Sequence, residues 1–482
     1  MSLIKNIAKI SVSKAINTAI NFLFLPFMAR SLSYEDYGTY GQVLLIVTLF
    51  STVFSFGLHQ IIYIYLNRLK FKIRLFSSNI ILLFFLSLIA YLLIIIFSGY
   101  IGYCFNNENI ISYLWIYGFS MLFGLPYYSV NSFLIFLGKV KESALILVFG
   151  NVLKVGLIIL SIQYYKSLNL VFISIVISNL FQLAVSFLLV KDYFRLIFPI
   201  KLMKQQLKSG FPMGLTNAVG IFFIYTDSVM VSSYLGLKEY AIYRNGAMEI
   251  PFISTIYLSI SAIIMPEVAN LIANKNFSSL VNLKKKVVNQ SAMIIYPIMV
   301  FLLFYSKDFI EIYIGEMYSD SSLIFFVYCF LLLIRINDYQ DILISADKTK
   351  IILYTVICAL LLNLVLNHIL IKEIGSIGAA ISSIFSYYAL AFTQLYISFK
   401  KIGYKVKEIF NFKPMFILLL FCVFIISIFK SFLYHITDLS EVLSMLIIGL
   451  LYFPIIYFIL FKLNLLPVKI INILLPNPLK LK

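Results

Sequence analysis

The chain has 482 residues, of which 62% are hydrophobic and only 12% are charged. Soluble globular proteins are about 45–50% apolar and about 25% charged, so a water-soluble fold could not bury this much apolar surface. The composition therefore predicts an integral membrane protein. A net charge of +18 would suggest nucleic acid as the partner of a soluble protein. Here the charges lie in short connections between apolar runs, which favours anionic lipid headgroups over nucleic acid.

The apolar residues form fourteen segments long enough to cross a bilayer, which takes about 20 helical residues. These runs are continuous rather than alternating, so they predict helices and not the strands of a barrel. The predicted spans cover residues 9–30, 38–65, 77–99, 111–137, 143–164, 169–190, 209–235, 240–269, 288–306, 321–345, 351–371, 375–399, 413–433 and 441–462.

The basic residues predict an orientation in the membrane. Most of the 38 lysines and arginines lie in every second connection, with clusters at residues 68–74, 191–208, 284–286 and 400–407. The positive-inside rule places these connections, and with them both termini, in the cytoplasm. The four cysteines and three histidines are widely separated, so we expect neither a metal site nor another cofactor.

Two short sequence echoes indicate an internal repeat. Residues 32–40 (LSYEDYGTY) resemble residues 235–243 (LGLKEYAIY), and residues 138–141 resemble residues 347–350 at a similar spacing. They predict two six-helix lobes, residues 1–200 and 209–400, followed by two further helices within residues 413–463. Two-lobed repeats are typical of transporters with a substrate path between the lobes. The alternative is a chance similarity between tyrosine-rich loops.

The segment at residues 26–40 resembles the first-loop signature of polysaccharide flippases, through Pro26, Ala29-Arg30 and the Glu-Asp-Tyr-Gly run. Residues 363–367 and 374–381 resemble the eleventh and twelfth helices of the same family. This is the polysaccharide and O-antigen flippase family of the multidrug/oligosaccharidyl-lipid/polysaccharide exporter superfamily. Ser33 departs from the glycine usual in the signature, whereas the second copy keeps Gly236.

This resemblance implies an all-α, MATE-like membrane fold. It also implies that the protein exports a substrate and is not an enzyme. The implied substrate is an undecaprenyl-diphosphate-linked O-antigen or polysaccharide repeat unit. It would move from the cytoplasmic to the periplasmic leaflet of a bacterial inner membrane by alternating access of the lobes. The implied partners are membrane lipids, a polymerase and a chain-length regulator. Composition and spacing alone do not identify this substrate.

Polar and charged side chains within the predicted spans are the candidate site residues. A charge at the centre of a span costs about 2.5–3.5 kcal/mol on insertion, so it persists only where it faces protein or water. Cationic and amide donors would attract a diphosphate, and the candidates for substrate binding are Lys14, Asn21, Lys154 and Arg335. Acidic residues are candidates for ion coupling, namely Asp227, Glu249, Asp338 and Asp341.

The spacing of these residues predicts which of them share a helix face. Lys14, Asn17 and Asn21 lie on one face, and so do Asn151 and Lys154. The spacing also predicts a ladder of Arg335, Asp338 and Asp341, and it places Asn245 and Glu249 on one helix face. The two interpretations are a hydrated cavity between the lobes and ion pairs that only fix the register of the helices.

Other polar residues near the spans have simpler interpretations. We interpret Arg30, Arg244 and His59 as side chains near span ends that extend towards the headgroups. Four tyrosines offer ring faces for sugars or simply pack in the bundle and at the interface, namely Tyr127, Tyr128, Tyr387 and Tyr388.

Several functions compete on this sequence. A drug exporter of the same superfamily would favour an acidic cavity, and a peptidoglycan-precursor flippase has the same span count and a cationic cavity. A membrane polymerase or ligase acting on lipid-linked sugars needs a substantial external loop with catalytic arginine or histidine residues. The predicted external loops are short and acidic, as at residues 35–36, 308–316 and 438–441, which argues against the enzyme.

Overall fold

The structure is a computed structural model that describes residues 2–68, 72–436 and 441–463. The regular secondary structure of these residues is entirely helical. The chain forms two compact units, residues 1–241 and residues 242–482. The repeat-based lobes at residues 1–200 and 209–400, with the helices at 413–463, remain a prediction about the evolutionary repeat.

The first unit consists of long helices joined by short connections. These helices are α1 (Ser2–Ser31), α2 (Tyr34–Phe54), α3 (Leu58–Arg68), α4 (Lys72–Cys104), α5 (Ile110–Gly118), α6 (Met121–Phe136), α7 (Val140–Tyr165), α8 (Leu168–Leu188) and α9 (Ile200–Gly246). A single 3-10 turn covers Lys191–Tyr193, and the boundary between the units falls near the end of α9.

The second unit mixes long helices with shorter pieces. They are α10 (Pro251–Ala273), α11 (Phe277–Phe304), α12 (Ser306–Tyr313), α13 (Ser321–Cys329), α14 (Asp341–Ser345), α15 (Thr349–Ile402), α16 (Phe412–Ile436) and α17 (Glu441–Lys462). The 3-10 turns cover Glu316–Tyr318, Phe330–Leu333 and Val406–Glu408.

Eleven helices of the described residues are long and apolar enough to cross a membrane. The 54-residue helix α15 bends at Ile374 and Gly375, and each half exceeds the roughly 20 residues that a span requires. Each of the fourteen predicted spans lies mostly on helix, but helix breaks at residues 55–57, 119–120, 247–250 and 334–340 fall inside some of them. The predicted all-α membrane fold is confirmed, although several spans are built from two or more helical pieces.

The first echo occupies two helix corners that need different residues. Ser33 has φ −64° and ψ 163°, and its Oγ accepts a hydrogen bond from the backbone N–H of Asp36 at 3.1 Å, so it caps α2. Gly236 has φ +83°, a conformation that favours glycine. The departure of Ser33 from the family pattern therefore has a physical reason, because its extended backbone needs no glycine and its hydroxyl provides a cap.

At the break between α2 and α3, the backbone of Phe56 packs closely against the backbone of α9. Phe56 and Gly57 have φ values of +46° and +65°, which end one helix and start the next. A Cβ atom on Gly210 would lie 2.5 Å from the carbonyl oxygen of Phe56, and a Cβ on Gly214 would lie 2.7 Å from the Phe56 carbonyl carbon. The break therefore fits against α9 only because α9 carries glycine at both positions.

A buried network of polar side chains fixes α2 in the first unit. Gln42 donates to the hydroxyl of Ser232 on α9 at 2.7 Å, and Asn107 donates to the Gln42 side-chain oxygen at 2.7 Å and to Thr39 at 3.0 Å. These side chains are each at most 5% exposed. A fully satisfied buried network holds its members in one arrangement, so α2 has a defined position relative to α9.

Candidate functional site

A polar face joins α1 to α7 in the first unit. The ammonium of Lys154 donates to the side-chain oxygen of Asn21 at 2.9 Å, and Asn151 donates to the carbonyl oxygen of Asn17 at 3.4 Å. Asn21 also donates to the Asn17 carbonyl oxygen at 2.9 Å. The two faces predicted from residue spacing thus contact each other. Within the described chain no carboxylate lies within 4.0 Å of Lys154, and its ammonium contacts the neutral amide of Asn21.

Lys14 lies on α1 in the same helix as Asn21 and is exposed. Its proposed role in binding an anionic headgroup remains a prediction. Asp227 lies on α9, where it is 3% exposed and accepts a hydrogen bond from the backbone N–H of Ser228 at 2.8 Å. Its role in ion coupling likewise remains a prediction.

In the second unit, Glu249 and Arg335 form an ion pair. The Arg335 guanidinium also lies 5.5 Å from the ring centre of Tyr387, which is within cation–π range. Glu249 lies beyond the end of α9 at Gly246, so Asn245 and Glu249 do not share a helix face, contrary to the prediction. The Arg335 guanidinium thus contacts both a carboxylate and an aromatic ring.

A buried ionic cluster occupies the break before α14. Lys284 of α11 and Asp341 form a salt bridge of 2.6 Å, with both side chains at most 1% exposed. Lys284 also donates to the backbone oxygen of Asp338 at 2.9 Å, while the Asp338 carboxylate accepts from Ser261. The predicted ladder of Arg335, Asp338 and Asp341 is wrong, because residues 334–340 are not helical and each side chain finds a partner elsewhere.

A cavity of about 480 Å³ opens inside the first unit between α2, α3, α5, α6, α8 and α9. The described residues that line it include no lysine, arginine, aspartate or glutamate. They are Val47, Thr48, Ser51, Thr52, Ser55, His59, Gln60, Tyr117, Ser120, Met121, Gly124, Leu125, Tyr128, Asn179 and Asn217. The site is therefore neutral and rich in hydroxyl and amide groups.

Several contacts order the lining of this cavity. The side chain of Asn217 donates to the Gln60 oxygen at 3.2 Å, and the rings of His59 and Tyr128 have centres 5.7 Å apart. Nδ1 of His59 is buried and has no hydrogen-bond partner among the described residues. His59 therefore belongs to the cavity, and its interpretation as a side chain extending to the headgroups is wrong.

Neither the buried position of Lys284 nor this cavity was predicted from the sequence. Lys284 sits in the basic run 284–286, which resembles an ordinary cytoplasmic cluster. The cavity did have a signal, since polar residues at positions 48, 51, 52, 55 and 59 recur at helical spacing and define one polar stripe. That stripe continues across the helix break and faces the cavity.

The predicted cation sites can be tested by chemical access. In a variant with Cys358 replaced by serine, we expect cysteines placed at Lys14, Lys154 and Arg335 to react with hydrophilic thiol reagents in intact membranes. The reason is that polar positions within spans avoid lipid. The control is Ile96→Cys, because Ile96 is 71% exposed on the apolar helix α4 and should stay unreactive. Protection of all three positions in a normally inserted protein would favour buried pairing instead.

The overall fold is shared with solved membrane transporters. The lipid II flippase MurJ in an inward closed conformation aligns with a TM-score of 0.74 and 19% identity, covering 94% of this chain and 98% of that chain. A MOP superfamily transporter from Pyrococcus furiosus gives 0.59 and 12%, covering 83% and 96%. A MATE transporter from Vibrio cholerae gives 0.55 and 11%, also covering 83% and 96%. The chain thus has the fold of a multi-pass transporter.

The sequence also identifies the protein family to which this transporter-like fold belongs here. Residues 27–323 match the family described as polysaccharide biosynthesis protein, and the chain belongs to that family. An uncharacterized membrane protein of Methanocaldococcus jannaschii is 24% identical over 252 residues, which is 52% of this chain and 48% of that relative. The match thus spans about half the length of the relative. The resemblance to polysaccharide flippases is confirmed at the level of this family and fold.

Proposed function

We propose that this protein is a flippase that moves a polyprenyl-diphosphate-linked oligosaccharide, such as an O-antigen or polysaccharide repeat unit, between membrane leaflets. One observation carries the proposal: a chain of the polysaccharide biosynthesis family shares its fold, over 94% of its length, with a lipid II flippase. The substrate moves from the cytoplasmic to the periplasmic leaflet of a bacterial inner membrane. Both protein termini lie in the cytoplasm, and a polymerase and a chain-length regulator act on the product.

A groove in the second unit supports a lipid substrate. It has a volume of about 450 Å³ and is lined almost entirely by aliphatic and aromatic side chains of α11, α15 and α16 and of the segments beside them. The hydroxyl of Tyr388 donates to the carbonyl oxygen of Phe330 at 2.8 Å, and that of Tyr296 donates to Leu333 at 3.3 Å. Their polar ends are satisfied within the protein, so the groove presents apolar surface suited to a polyprenyl chain.

The membrane potential contributes to transport in this direction. An anion that leaves a negative cytoplasm gains about 2.3 kcal/mol per charge per 100 mV. The protein then needs chiefly to shield the diphosphate and glycan, for which Lys14, Asn21, Lys154 and Arg335 are the proposed ligands. Coupling to an inward ion serves to reset the carrier. Asp227, Glu249, Asp338 and Asp341 are the proposed candidates for that step, and of these Asp341 and Glu249 already pair with Lys284 and Arg335.

The test is deletion of the gene followed by a leaflet-resolved assay of the lipid-linked unit. We expect completed units to accumulate on the cytoplasmic leaflet and to return to the periplasmic leaflet when the wild-type gene is restored. Units that instead reach the periplasmic leaflet and remain unpolymerised would exclude a flippase and support a polymerase or ligase. A periplasm-dependent reporter that is active at the C-terminus would contradict the proposed orientation.

A second candidate is a flippase for a peptidoglycan precursor, which the fold shared with the lipid II flippase favours. The same assay separates the two candidates, because the accumulating lipid then carries the peptidoglycan unit. A multidrug exporter for cations is less well supported, since the lining of the first-unit cavity includes no carboxylate among the described residues.

A further inference from the structure

The cavity of the first unit has the chemistry of a sugar site. Its lining offers hydroxyl groups from Ser51, Thr52 and Ser120 and amide groups from Asn179 and Asn217. Hydroxyls and amides both donate and accept hydrogen bonds, as the hydroxyl and acetamido groups of a neutral sugar do. The volume of about 480 Å³ lies within the range of small-molecule sites, about 300–1,000 Å³.

The lining also has unused hydrogen-bonding capacity. Thr52 donates its hydroxyl hydrogen to the carbonyl oxygen of Thr48 at 2.9 Å, so its own oxygen can still accept a hydrogen bond. The Ser55 hydroxyl donates to the Thr52 carbonyl oxygen at 2.9 Å and accepts from the Gly57 backbone N–H at 3.5 Å. The ring of Tyr128, 51% exposed, adds an apolar face.

The same lining disfavours a charged ligand. Burying an ionised group without an opposite charge is far more costly than burying a neutral polar group. Because the described lining has no acidic or basic side chain, it offers no partner to the ammonium of an amino sugar or the carboxylate of a uronic acid. Neither Lys154 nor its partner Asn21 lines this cavity.

We infer that this cavity binds neutral sugar residues of the transported glycan and selects against charged ones. The inference rests on the proposed flippase function, which it deepens by naming the class of sugar. The diphosphate and the glycan thereby have separate sites, with cationic and amide groups for the first and the neutral cavity for the second.

The test uses the full-length protein in nanodiscs and measures binding by ligand-detected NMR. The probe is N,N′-diacetylchitobiose, and the comparators are deacetylated chitobiose, which is cationic, and a hyaluronan disaccharide, which is anionic. We expect each charged comparator to bind at least about tenfold more weakly, because its charge is left unpaired.

Two glycine variants locate the site. A Cβ on Gly124 would have only the Asn179 amide nitrogen near it, at 3.7 Å, so Gly124→Leu extends into the cavity without meeting backbone. The matched control is Gly156→Leu on α7, where a Cβ has no atom within 4 Å and the position does not line the cavity. We expect Gly124→Leu to weaken probe binding about tenfold or more and Gly156→Leu to leave it unchanged. Asn179→Leu provides a second variant if Gly124→Leu does not fold.

The outcomes separate this inference from the proposed function. Equal binding of neutral and charged disaccharides, or equal losses in both glycine variants, would overturn the sugar site. Absence of probe binding by a protein that passes the leaflet assay would also overturn it while leaving the flippase intact. Selective binding by a protein that fails the leaflet assay would retain the sugar site and refute the flippase.

Discussion

Replacing Lys284 by methionine should destabilise the second unit by about 3–5 kcal/mol, the usual cost of removing one partner from a buried ion pair. Lys284 is fully buried, and its ammonium lies 2.6 Å from the Asp341 carboxylate and 2.9 Å from the backbone oxygen of Asp338. Methionine has nearly the same length but no charge, so the variant leaves Asp341 buried without its counter-charge. The measurement is equilibrium unfolding in mixed micelles together with the thermal unfolding midpoint.

Two comparisons make this result specific to the ion pair. Combining Lys284→Met with Asp341→Leu removes both charges and should recover most of the lost stability, as apolar replacements of buried pairs often do. Lys307→Met removes the partner of an exposed pair, in which the Lys307 and Glu311 atoms are 3.8 Å apart, and should cost only about 0–1 kcal/mol. A Lys284→Met protein as stable as the Lys307→Met protein would contradict the structural role of the cluster.

Replacing Gly214 by alanine should also lower the stability of the protein substantially, because the added methyl group would clash with neighbouring backbone atoms. Its Cβ would lie 2.7 Å from both the carbonyl carbon and the Cα of Phe56, and backbone atoms cannot move aside as a flexible side chain can. Overpacking of this kind typically costs about 1–3 kcal/mol. We expect a lower thermal unfolding midpoint. Because Ser55, the residue before Phe56, lines the neutral cavity, we also expect weaker binding of the neutral disaccharide.

The matched control lies six residues further along the same helix. A Cβ on Gly220 would have no atom within 4 Å, so Gly220→Ala changes helix propensity but no packing. Alanine is favoured over glycine in a helix by about 0.8–1.0 kcal/mol, so this variant should be as stable as the wild type or more stable. If Gly214→Ala and Gly220→Ala have the same stability, the close approach of α9 to the helix break does not constrain the fold.

The membrane fold could be predicted because lipid imposes a strong constraint on every span. A helix that crosses a bilayer needs about 20 mainly apolar residues, and such runs can be recognised in a single sequence. The shared faces of Asn17 with Asn21 and of Asn151 with Lys154 were also predictable, because they depend only on helical spacing within regular helices. The contact between these two faces is seen only in the structure, because spacing along one helix does not identify the partner helix.

The interruptions of helices were not predictable in the same way. The ladder of Arg335, Asp338 and Asp341 assumed an unbroken helix, and no proline or glycine marks the break at residues 334–340. Asp341 instead pairs with a residue 57 positions earlier, and such a pairing depends on tertiary packing. Lys284 was assigned to the cytoplasm because two neighbouring lysines share its charge, although only its own side chain turns into the protein.

The contact between α1 and α7 also has a consequence for the biogenesis of the protein. Lys154 and Asn21 are 133 residues apart in the chain, so their hydrogen bond cannot form until four later spans have been synthesised. At about 5–20 residues per second, α1 exists for roughly 7–27 s before α7 follows it from the ribosome. During this interval the amides of Asn17 and Asn21 lack their final partner helix. The insertion machinery must therefore retain α1, or its neighbours must cover it, until the lysine-bearing helix arrives.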